Sequence, residues 1–115
     1  MKNEVGSHKT SVTMDNDNVL MVTYHNTIVV KVIDNRYIVL NNGGYYTNTS
    51  KRRMNQASLQ YNLNYSVYQC NYIWYVSTSV TDKDGNKKDN ILEYYNGMVI
   101  DSKTGDISKP LIEIN

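Results

Sequence analysis

The chain contains no phenylalanine and a single cysteine in its 115 residues. It also has no apolar run approaching the ~18 residues that a membrane-crossing helix needs. Each gap removes a class of protein. Cys70 alone forms neither an internal disulfide nor a cysteine-rich zinc site. A lone thiol suits a reducing, intracellular compartment, and a buried structural role is the expectation for it. The start, Met1 to His8, has no apolar h-region, so classical secretion and membrane association are not expected. Neither sign of charge dominates. Lys+Arg 12 against Asp+Glu 11 leaves a net charge of +1, which excludes both a histone-like polycation and an acidic surface that imitates DNA throughout.

What is present is polar but foldable. Hydrophobic residues make up 40% and charged residues 20%, with a mean hydropathy of -0.57. At this length one compact domain buries roughly two-thirds of the surface its unfolded chain exposes. The aromatic content is almost all tyrosine, 11 residues with one Trp. A buried tyrosine must find a partner for its hydroxyl, which favours half-buried sheet faces and interfaces.

Hydrophobic patterning predicts an α+β fold: an antiparallel β-sheet of about five to seven strands with one central α-helix (about 50–62) packed on one face. Residues 1–18 read as a polar arm with a short strand around Ser11–Met14, and 19–115 as a single α+β domain. Val19–Tyr24 and Thr27–Ile33 are rich in β-branched residues and flank His25-Asn26, which predicts a hairpin. A third strand follows at Arg36–Leu40 and breaks at Asn41-Asn42-Gly43-Gly44, where glycine permits positive φ. Thr49 or Ser50 is the expected helix cap, and Asn62 or Asn64 the left-handed C-cap. Met54, Ala57, Ser58 and Tyr61 form the buried stripe, while Arg52 and Arg53 lie mainly elsewhere. Strands resume at Tyr65–Gln69 and Tyr72–Ser77, with a reversal near Cys70-Asn71. A charged loop spans Asp82–Asp89. Ile91–Tyr95 and Met98–Ile100 then bracket Asn96-Gly97, the strongest short hairpin signal in the chain. That predicts a C-terminal β-hairpin extension (about 90–115), with a last strand at Leu111–Ile114.

The most suggestive stretch is the helix start. Gly43 and Gly44 let a ligand approach the backbone, Thr49 offers a hydroxyl, and the free amides of a first helical turn attract anions. Lys51, Arg52 and Arg53 follow, and cations at that end oppose the helix dipole. Tyr45 and Tyr46 beside them suit stacking on bases. These residues predict a nucleic-acid or anion-binding site that contacts the phosphate backbone. The plainer alternative is that Arg52 and Arg53 pair with carboxylates and the glycines merely turn the chain. A second surface is the aromatic strand, with Tyr72 and Trp74 on one face and Tyr75 on the other, a possible protein interface.

Catalysis finds no support in the residues. His8 and His25 are the two histidines, and Cys70 with His25 carries no local nucleophile signature. The Asp82-Lys83-Asp84-Gly85 loop has its glycine at the fourth position, not the sixth of a calcium-binding EF-hand. The P-loop spacing is absent. No metal and no cofactor is expected.

The block from Tyr24 to Val76 resembles an uncharacterised family of small proteins encoded by bacteriophages and other mobile elements. The resemblance lies in Tyr24-His25-Asn26-Thr27, in Ile38 to Thr47 with its Asn-Asn-Gly-Gly-Tyr-Tyr, in Thr49 to Ser58, and in Tyr65–Gln69 through Trp74-Tyr75-Val76. Asparagine stands at 62 and 64, where glycine is expected after the helix. The resemblance implies a phage setting, in the cytoplasm of the bacterial host or in the virion, and carries no catalytic residue across.

Two functions follow from these readings. The first is a small non-enzymatic phage-type accessory protein that contacts nucleic acid through a basic helix N-terminus. The alternative is a protein-protein interaction module: a virion structural or auxiliary component, an inhibitor of a host defence protein, or a homo-oligomer.

Overall fold

The computed structural model describes residues 9–108. The strand expected at 111–114 and residues 1–8 of the arm lie outside that range. Within it the chain runs β1 (Thr10–Met14), β2 (Val19–Tyr24), β3 (Thr27–Ile33), β4 (Tyr37–Leu40), α1 (Asn48–Tyr61), β5 (Tyr65–Cys70), β6 (Ile73–Thr81), β7 (Lys87–Glu93), β8 (Met98–Asp101) and β9 (Ile107–Ser108). The class is α+β, as the patterning implied. The strands, however, divide into two antiparallel sheets, a six-stranded one in the order β1-β2-β3-β4-β8-β9 and a three-stranded one in the order β5-β6-β7.

Alternation explains the larger sheet. Val22, Val30, Leu40 and Met98 stand in register across four strands, and Leu20, Val32, Ile38 and Ile100 form a second such row. All eight are buried, because period-2 spacing sends each to the same face. The smaller sheet turns Tyr65, Val67, Trp74 and Val76 inward, and α1 adds Met54 and Ala57 to the same apolar cluster.

The helix is tied to β5 as much by polar contacts as by apolar ones. Asn55 donates to the Val67 carbonyl at 2.8 Å and accepts from its N–H at 2.7 Å. The Ser58 hydroxyl donates to the Tyr65 carbonyl at 2.6 Å, and Tyr65 Oη donates to the Met54 carbonyl at 2.6 Å. Side chains of α1 thereby satisfy main-chain groups along the outer side of β5, where a sheet edge is otherwise open. Burial pushes the Tyr65 phenol well above its ordinary pKa.

Of the N-terminal segment, the described part is not loose. Its predicted short strand forms as β1 and pairs with β2 over its full length, Thr10 opposite Tyr24 and Met14 opposite Leu20.

The Asn96-Gly97 hairpin does not form. β7 pairs with β6 and β8 pairs with β4, so these residues carry the chain from one sheet to the other. Long-range bonds explain why. Asn96 Oδ1 accepts from the Asn42 N–H at 3.1 Å and from Tyr94 Oη at 2.6 Å. The Gly97 N–H donates to the Leu40 carbonyl at 2.8 Å, and the Tyr94 N–H to the Trp74 carbonyl at 2.9 Å. The local turn signal is real, with Gly97 at φ +84°. Its flanks nevertheless find better partners elsewhere.

Candidate ligand cleft at the helix start

The Asn41–Gly44 bend adopts the left-handed backbone its glycines allow, with Gly43 at φ +67° and Gly44 at +88°. Two side-chain turns hold it: Asn41 Oδ1 accepts from the Gly43 N–H at 2.7 Å, and Asn42 Oδ1 from the Gly44 N–H at 2.8 Å. Gly43 also sits against Thr27, whose Oγ1 lies 2.7 Å from where a Cβ would stand. The chain then enters α1 through Thr47, at φ -106° and ψ 155°, whose side chain accepts from the Ser50 N–H at 3.1 Å. The cap is therefore Thr47, not Thr49 or Ser50. The helix closes at Asn62 in the left-handed region, one of the two positions expected for that role.

The glycine-tyrosine-basic stretch does not form one surface. Tyr45 and Thr49 face a cleft. Tyr46 instead stands edge-on to Trp74, with ring centroids 5.0 Å apart, and to Tyr94 at 5.9 Å. The Lys51 ammonium lies 5.6 Å above the Trp74 ring and bonds Gln69 Oε1 at 3.4 Å. Arg52 is exposed. Arg53, expected to point outward with its neighbours, is 6% exposed. Its Nε donates to Thr10 Oγ1 at 2.9 Å, one terminal nitrogen donates to Gln56 Oε1 at 3.0 Å, and the guanidinium lies 5.9 Å from the Tyr24 ring centroid. The two acceptors and the aromatic face offset the cost of desolvating a guanidinium, which is more weakly hydrated than an ammonium.

The aromatic strand also needs correction. Trp74 is core, at the centre of an edge-on cluster with Tyr94 and Tyr46. Tyr72 is not in the strand. It forms the β5–β6 turn with Asn71, both at positive φ, and is 94% exposed. Tyr75 stays on the outer face and stacks on Tyr68 with centroids 5.7 Å apart. Cys70, expected buried, is exposed.

The cleft itself has a volume of about 580 Å³. The β2–β3 turn forms one wall with Tyr24, His25, Asn26 and Thr27, and the start of α1 forms another with Thr47, Thr49 and Ser50. Asn42 and Tyr45 complete it. Among the described residues no carboxylate lines the cleft, and the first turn of α1 carries no acidic residue. Composition alone did not point to the β2–β3 turn as part of a site. The signal was there only as His25-Asn26 between two strands, which any hairpin could show.

Among the described residues no group of three or more His, Cys, Asp or Glu could hold a metal ion, and no helix is long and apolar enough to cross a membrane. Among the described residues, fold and cleft together define an α+β protein of one helix and two sheets, with a recess lined by tyrosine, threonine and serine side chains. The chain belongs to the Kyanoviridae Gp96 protein family, a phage family whose model matches residues 1–101. No curated protein and no solved structure matches it.

Proposed function

We propose that this phage protein is a non-enzymatic accessory protein that works by contact with another polypeptide, and that the contact is antiparallel pairing of β7 with β7 of a second copy. The carrying observation is the edge formed by β7. It is the longest edge strand among the described residues, and six of its seven residues are exposed. The opposite edge of the same sheet, β5, is already occupied by Asn55 and Ser58 from α1.

The sequence of β7 complements itself. With Asn90 opposite Asn90 of the second copy, Lys87 meets Glu93 of the second copy at both ends of the ladder. A two-fold axis thus satisfies both charge pairs at once. Pairing would also join the outer faces of the two small sheets. Each presents Ile91, 61% exposed, beside the Tyr68–Tyr75 stack. An extended nucleic-acid footprint has less support, since the net charge is +1 and Arg53 is turned inward.

Sedimentation velocity over a concentration series tests the reading. Wild type is expected to dimerise reversibly, Glu93→Lys to be monomeric because two lysines then face each other at each end, and the swapped pair Lys87→Glu/Glu93→Lys to recover the dimer. A wild-type monomer at every concentration would sink the proposal, as would a dimer indifferent to both changes.

A further inference from the structure

We infer that the cleft between the β2–β3 turn and the start of α1 binds a neutral saccharide, either free or as the end of a glycan chain. This goes beyond contact with a polypeptide and is independent of the β7 pairing. The chemistry of the wall carries the inference. Among the described residues every side chain lining the cleft bears a polar atom, and none is Asp, Glu, Lys or Arg. A charged ligand finds no counter-charge in such a wall. An apolar ligand strips water from its polar atoms and returns no hydrogen bond, which weakens binding. A neutral polyol meets neither penalty.

Most of the wall is also uncommitted. Thr47 and Ser50 are bonded to each other at the helix cap. Tyr24, His25, Asn26, Thr27, Tyr45 and Thr49 make no side-chain hydrogen bond within the described residues. Hydroxyl, amide and imidazole groups each donate and accept, as sugar hydroxyls do, so pairing works in either sense. Tyr45 adds a platform. Tyr24 is held edge-on to His25 at 4.4 Å with the Arg53 guanidinium over its ring, whereas Tyr45 is 69% exposed and touches no other ring. A pyranose carries C–H groups on its flat sides and hydroxyls around its rim. One side then packs on the Tyr45 ring while the rim reaches the turn and Thr49.

The recess is held open before any ligand arrives. The His25 N–H donates to the Lys9 carbonyl at 2.8 Å, and Gly43 packs where a Cβ would stand 2.7 Å from Thr27 Oγ1. A wall fixed in advance leaves little ordering to be done on binding. The volume of about 580 Å³ lies within the roughly 300–1,000 Å³ of small-molecule clefts, and leaves room for more than one sugar ring.

Titrations of the full chain followed by amide NMR test it, with cellobiose, maltose, lactose and N,N′-diacetylchitobiose as neutral probes and glucose 6-phosphate and adenosine as contrasts. At least one neutral disaccharide is expected to give saturable shifts at His25, Asn26, Tyr45 and Thr49. Tyr45→Ala should weaken that binding by about tenfold or more, and Tyr45→Trp should retain it. Tyr45 is exposed, so neither change should move the melting temperature. Thr49→Val keeps the shape, removes the hydroxyl and should weaken binding by about threefold to tenfold. Retained binding of the methyl glycoside of the best disaccharide would assign the site to glycan chains, and its loss to free sugars. No saturable shift with any of these disaccharides, equal or tighter binding of adenosine or glucose 6-phosphate, or binding undiminished by either Tyr45→Ala or Thr49→Val would overturn the inference.

Discussion

Arg53 turns its guanidinium inward although its neighbour Arg52 is exposed, and one position on the helix makes the difference. A charged side chain read from sequence defaults to solvent. Here β1 lies over it, and Thr10, Gln56 and Tyr24 receive the charge. Arg53→Ala should therefore destabilise the protein by about 1–3 kcal/mol, through lost charged hydrogen bonds and lost packing of the aliphatic stem. Arg52→Ala should stay within about 0.5 kcal/mol of wild type. Urea unfolding measures both. Hydrogen exchange at the β1 amides should quicken for the first variant alone, and equal stability of the two would remove the guanidinium from any structural role. Tyr72 is the converse case. Simple alternation back from Trp74 places it in the strand, but a two-residue reversal needs two left-handed residues, and Asn71 and Tyr72 supply them.

At the scale of the element, α1 shows how capping chemistry outranks a rough boundary. Three hydroxyl residues stand near its start, and Thr47, extended at φ -106°, is the one whose oxygen reaches the Ser50 amide. Thr47→Ala should cost about 1 kcal/mol, whereas Thr49→Ala should have little effect on stability. Thermal melts of the two variants would reverse in order if Thr49 were the cap. The β2–β3 hairpin, β4 and the Asn62 C-cap were all readable, because each rests on local signals: β-branched runs, turn residues and a left-handed asparagine. The 96–97 turn was legible as a turn and misleading as a hairpin, since nothing local encodes the bonds from Asn42, Leu40 and Trp74 that claim its flanks.

Over the whole molecule, one ion pair ties the start of β4 to the end of β8. Arg36 forks onto Asp101, Nε to Oδ1 at 3.0 Å and a terminal nitrogen to Oδ2 at 2.8 Å. The Arg36 hydrogen bond lowers the Asp101 pKa from 3.8 to about 2, with backbone N–H groups of Lys103 and Thr104 adding to it. Asp106 moves in the same direction, chiefly through Lys88. A carboxylate held below its unfolded value stabilises the fold above about pH 4 and loses that contribution as pH falls toward 2. Urea midpoints should therefore drop across that window. Asp101→Asn should start lower at neutral pH and show a shallower drop, and an unchanged slope would place the acid sensitivity elsewhere. By itself the amino-acid order determined the α+β class, the β2–β3 hairpin, the central helix and its asparagine C-cap, because propensity, period and turn chemistry act within a few residues. Tertiary structure alone decided which sheet each strand joins, that Arg53 and Trp74 are interior, and that the β2–β3 turn meets the helix start to enclose a cleft. Those outcomes depend on contacts between residues far apart in the chain, whose strength no local pattern records.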